Sequence, residues 1–97
     1  MPHFLLMYEV APDYIERRVA HRTEHLDLVR AAHAAGNLLL AGALADPADG
    51  AVLLFEGDGP EAAERFARAD PYVAHGLVTA WRVRRWATVV GEGSTPS

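Results

Sequence analysis

The chain has 97 residues, 51% of them apolar and 23% charged, a formal charge of −4 and no cysteine. That length supports one hydrophobic core rather than two, and the composition is far from that of disordered chains. The negative balance disfavours nucleic acid and anionic membranes as partners, and the missing cysteines exclude disulfides, thiolate nucleophiles and cysteine-bound zinc.

Strand 1 is the bulky run "FLLMY" from Phe4 to Tyr8, suited to a strand covered on both faces. From Asp13, a candidate N-cap, apolar residues recur at Ile15, Val19, Leu26 and Val29 until Gly36-Asn37, so the spacing predicts one long helix over 13–36. "LLLAGALA" reads as strand 2, "DPADG" as a turn and "AVLLFE" as strand 3, a hairpin by its turn chemistry. "PEAAERFARA" is helix 2, with Pro60 in the first turn, early glutamates at the positive helix end and Phe66 as core anchor. Asp70, held out of helical dihedrals by Pro71, is placed to end helix 2 and cap the short helix "PYVAH" that Gly76 closes. "LVTAWRVRRWATVV" alternates Trp81, Val83 and Arg85 with Arg82, Arg84 and Trp86, the period of strand 4. The stretch 91–97, "GEGSTPS", has no large apolar residue and is expected to be a flexible tail behind a single domain over 1–90.

The order β-α-β-β-α-β is the ferredoxin-like α+β arrangement, an antiparallel sheet with both helices on one face. Strands 1 to 3 are apolar on both sides, so the uncovered face is expected to pack against a second copy in a homodimer. No segment is apolar and long enough to span a bilayer, and a soluble cytoplasmic protein is the simplest expectation.

All nine basic residues are arginine, so a Schiff-base lysine is excluded and anion recognition rests on guanidinium forks. On the helical wheel of 13–36, Arg22 falls in the middle of the apolar stripe and His25 at its edge. A guanidinium there needs an anion, either an internal carboxylate or something bound, unless it snorkels to the rim. His25 reads equally as a half-buried structural residue, and Asp70 as a helix cap without chemistry. His21 and His25 have the i, i+4 metal-clamp spacing, and "HRTEH" matches the H-x-x-E-H pattern of one zinc-peptidase group. The pattern is short and the chain small for a peptidase, so solvated helix histidines are expected and no metal site. The strand 4 arginines fit an edge protected from aggregation as well as an anion site.

The stretches "RTEHL" before "AAGNLLLAG", and "ADPYVAHGL" before a tryptophan-bearing basic strand, together resemble the YciI-like (YCII-related) proteins over about residues 4–90. The resemblance implies a dimeric α+β barrel fold and a site centred on a histidine and an aspartate, here His25 and Asp70. It also implies a lyase-like activity, as in dehydrochlorination of a chlorinated hydroxyquinol. Under it, Asp70 orients His25 for general acid/base chemistry, Arg22 stabilises an oxyanion or departing anion, Tyr72 lines the pocket, and no cofactor is required. The expected partner is a small aromatic or anionic substrate. The family's Ala-Gly-Pro after strand 2 is here Ala41-Gly42-Ala43, a departure on the wall of the implied pocket. Two other classes compete: a non-catalytic dimeric module binding a small ligand or a protein, and a cofactor-free oxygenase or isomerase that uses the histidine without the aspartate.

Overall fold

A computed structural model describes residues 1–95. Eight elements follow one another: β1 (His3–Val10), α1 (Tyr14–Arg18), α2 (Arg22–Ala34), β2 (Leu38–Ala43), β3 (Gly50–Glu56), α3 (Glu61–Ala69), α4 (Pro71–Ala74) and β4 (Val78–Trp86). The strands form one antiparallel sheet in the order β2-β3-β1-β4, a small α+β fold with a ferredoxin-like succession of elements. Among the described residues, no helix is long and apolar enough to cross a membrane.

Alternation along the strands decides what each face carries. Phe4, Leu6 and Tyr8 of β1, with Leu53 and Phe55 of β3, are buried in the core with Phe66, Ala67 and Tyr72 from the helices. The opposite face carries Leu5 and Met7, paired with Leu54 and Val52 on one side and with Arg84 and Arg82 on the other. Leu40 pairs with Leu54 across a register irregularity in β2 and is 71% exposed. An apolar centre on this second face is thereby bordered by two arginines.

The expectation of one long helix is corrected. Helix α1 ends at Arg18, and α2 begins at Arg22 after a break over Val19–His21. No glycine or proline causes the break. Helix α1 buries Tyr14 and leaves Ile15 43% exposed, with Val19 just beyond it 76% exposed, because the larger aromatic surface outweighs the aliphatic one. The chain must then turn before α2 can lay Leu28, Val29 and Ala32 on the core. With the wheel reset, Arg22 leaves the apolar face and becomes the exposed first residue of α2.

Other elements follow the sequence with shifted ends. Pro60 stands just before α3 rather than in its first turn. Phe66 is buried, and Gly76 closes α4 with φ 77°, a left-handed conformation that favours glycine. Strand β4 stops at Trp86, short of the predicted run to Val90. Within the expected tail 91–97, Thr95 donates its N–H to Thr88 Oγ1 at 2.8 Å, and positions 96 and 97 lie outside the described residues.

Candidate functional site

Asp70 joins α3 to α4, with an extended ψ of 123° as the residue before a proline requires. Its side chain is fully buried, and three donors approach it. Oδ1 accepts the Tyr72 N–H at 3.0 Å, which caps α4, and lies 2.8 Å from His25 Nδ1. Oδ2 accepts the Tyr8 hydroxyl at 2.6 Å. An ionised carboxylate accepts all three. Neutral His25 then carries its proton on Nδ1, a tautomer assigned from its partner, and Nε2 holds the free lone pair.

Packing, as well as the hydrogen bond, holds the imidazole. Its ring stacks on Tyr72 at 3.8 Å and 6°, with Phe66 edge-on at 6.5 Å. Tyr72 itself meets Tyr14 edge-to-face at 5.8 Å. Tyr72 is 2% exposed, and among the described residues its hydroxyl has no well-formed hydrogen-bond partner, although the Arg22 guanidinium comes near it. Burial pushes the phenol up, while the nearby Arg22 and Arg18 guanidiniums pull the other way without overcoming it.

Beside this cluster lies a cavity of about 190 Å³, walled by Tyr8, Tyr14, Tyr72, His25, Arg18 and Arg22, by Leu26 and Val29 of α2, and by Ala41–Ala43 of the β2 edge. Arg18 sits 5.4 Å from the centre of the Tyr14 ring, a cation–π arrangement. Among the described residues neither Arg18 nor Arg22 forms an ion pair, whereas Arg17 and Arg30 do. Two uncompensated guanidiniums beside a saturated carboxylate make the cavity electropositive, and they favour an anion or a developing negative charge.

The structure thus brings together all four residues singled out from the sequence, with one change of setting. His25 and Asp70 are bonded, Tyr72 stacks on His25, and Arg22 reaches the same cavity from an exposed helix start rather than from an apolar stripe. His21 does not pair with His25 as a metal clamp. It stacks on His75 at 4.1 Å and 15°, and among the described residues no group of three or more His, Cys, Asp or Glu side chains is placed to hold a metal. The sequence reading missed Tyr8, Tyr14 and Arg18. A signal existed for Tyr8: it shares the core-facing period of Phe4 and Leu6, and a buried tyrosine hydroxyl needs a partner.

The sequence profile of the YCII-related domain matches residues 1–87. The chain belongs to the YCII-related family. No significant match to a curated protein is found. Among solved structures, this YCII-related chain is similar to 5-chloro-2-hydroxyhydroquinone dehydrochlorinase (TftG) from Burkholderia phenoliruptrix AC1100, solved in complex with 2,5-dihydroxybenzoquinone. The two share 21% identity over 95% of this chain and 98% of that one, with a TM-score of 0.74. It is also similar to protein Atu4242 from Agrobacterium tumefaciens, with 16% identity, full coverage of both chains and a TM-score of 0.58. An antibiotic biosynthesis monooxygenase matches at 16% identity over 93% of this chain and 100% of that one, TM-score 0.53. At these identities the likenesses establish the fold alone.

Proposed function

We propose that this YCII-related protein is a lyase-like enzyme acting on a small hydroxylated aromatic, with His25 as the proton-transferring group and Asp70 as its orienting partner. The observation that carries the reading is the 2.8 Å contact between His25 Nδ1 and a fully buried Asp70 at the edge of a cavity. The same contact argues against a plain binding module, which has no need of an oriented imidazole. The dehydrochlorinase is a neighbour in fold and a member of the chemical class that the pocket suits.

For a chlorinated hydroxyquinol the steps balance through proton transfers. His25 Nε2 takes one hydroxyl proton and returns a proton to the chlorine-bearing carbon. Chloride then leaves with the bonding pair as a second hydroxyl gives up its proton, and the ring electrons settle as two carbonyls. The net loss is HCl, so no outside oxidant and no cofactor is required. Arg22 and Arg18 stabilise the phenolate and the departing chloride, and Tyr72 lines the pocket behind His25. The enzyme works in the cytoplasm as a homodimer, with the second sheet face of one subunit packed on that of the other in a dimeric α+β barrel.

The test is turnover of chlorinated hydroxyquinols by wild type, His25→Ala, Asp70→Asn and the double variant, followed by chloride release. Severe, non-additive losses support the dyad. Wild-type-like turnover in His25→Ala removes His25 from the mechanism. Loss in His25→Ala alone, with Asp70→Asn active, favours chemistry in which the histidine acts without the carboxylate.

A further inference from the structure

The Tyr8 hydroxyl lies 2.6 Å from Asp70 Oδ2, a contact that closes across 62 residues of sequence and is sealed from water. Tyr8 belongs to β1, a central strand of the sheet, where it is paired with Ala51 on one side and Trp81 on the other. Among the described residues it is the strand side chain that hydrogen-bonds Asp70; the other two donors come from helices. On the far side of Asp70, Oδ1 already serves the Tyr72 N–H and His25 Nδ1. The two oxygens are therefore assigned to different tasks.

We infer that Tyr8 is a positioning residue of this site: its hydroxyl fixes Oδ2 so that Oδ1 faces His25, locking the imidazole in its Nδ1–H form. The inference rests on the proposed role of His25 and adds a third member to the pair. Two physical arguments carry it. A buried carboxylate short of a donor rotates to share its remaining donors between both oxygens, and the imidazole loses its single acceptor direction. The Tyr8 O–H dipole also points its positive end toward Asp70, drawing negative charge to Oδ2 and moderating the bond that Oδ1 makes to the ring. Burial and the neighbouring carboxylate push the Tyr8 phenol far above the ordinary tyrosine range, so it remains a donor wherever the protein is folded.

Tyr8→Phe keeps the ring and deletes only the donor. In wild type, proton and nitrogen NMR of the labelled imidazole should report the Nδ1–H tautomer, with a low-field Nδ1 proton. In Tyr8→Phe, where Oδ2 is no longer held, the tautomers should mix and the Nδ1 proton resonance should weaken and shift. An unchanged resonance and tautomer in a folded Tyr8→Phe protein overturns the inference. If Tyr8→Phe folds poorly, 3-fluorotyrosine is incorporated in a Tyr14→Phe/Tyr72→Phe background so that only Tyr8 carries fluorine. The label makes the hydroxyl a better donor, and the Nδ1 proton should move upfield, with no movement again overturning it.

These readouts need no substrate, so failure of the lyase reading leaves them intact. Where turnover is measurable, Tyr8→Phe should lower kcat about tenfold, the equivalent of about 1.4 kcal/mol, with KM little changed. A purely structural tyrosine would alter stability and leave both the His25 resonance and kcat where they were.

Discussion

At the scale of single residues, two buried tyrosines with opposite circumstances make the clearest test of what holds the site. The Tyr8 hydroxyl is bonded to Asp70, whereas among the described residues the buried Tyr72 hydroxyl has no well-formed hydrogen bond, only the Arg22 guanidinium nearby. Tyr8→Phe should destabilise the protein by about 1–3 kcal/mol, because it strands a buried carboxylate oxygen. Tyr72→Phe should be neutral within about 0.5 kcal/mol, because no well-formed buried hydrogen bond is lost. Urea unfolding of both variants checks the pair. The same groups set the alkaline limit. Above the ordinary tyrosine value of 10.0, the unfolded chain releases the Tyr8 proton while the folded one retains it. The folded state then binds more protons, so stability falls as pH rises, by about 1.4 kcal/mol per unit for this one group. Tyr8→Phe should flatten that slope, measured by urea midpoints between about pH 9 and pH 11.

At the scale of elements, the turns that aim the site can be tested one glycine at a time. Gly36 ends α2 with φ 89° and has open space where a Cβ would stand, so Gly36→Ala tests backbone conformation alone. It should cost about 1 kcal/mol by thermal or urea unfolding. Gly42, on the cavity wall, also has open space and no positive φ, and Gly42→Ala should be tolerated within about 0.5 kcal/mol. The strands were readable because their apolar runs are bounded by turn residues such as "DPADG" and "GDGP". Asp70 as the cap of α4 was readable for a similar local reason, the proline that follows it. The break between α1 and α2 was not. It arises from competition between Tyr14 and the Ile15/Val19 stripe for the core, which involves residues distant in sequence and leaves no local mark. The helix period therefore places Arg22 inside the apolar face, whereas the structure sets it, exposed, at the start of α2 beside the cavity. The core-facing period marks Tyr8 as a buried hydroxyl in need of a partner, but nothing in "FLLMY" tells that the partner is Asp70, 62 residues away.

At the scale of the whole molecule, the proposed homodimer rests on the second sheet face. Leu5, Met7, Val52 and Leu54 lie together there, with Leu40 exposed beside them and Arg82 and Arg84 at the border. An apolar surface of this kind on a small domain is what a second copy covers. Leu54→Asp should halve the mass measured by light scattering, whereas Arg30→Ala on the opposite, helical side should leave it unchanged. Wild type that is already monomeric at micromolar concentration would remove the dimer from the proposal. Asp70 has a consequence at this scale as well, since its carboxylate ties β1, α2 and α4 together through three bonds. Selection for heat resistance and selection for turnover would therefore press on the same two oxygen atoms. A lineage without the proposed reaction would still be slow to discard that acid, and a change of ligand would sooner rework the β2 edge and the arginines across the cavity.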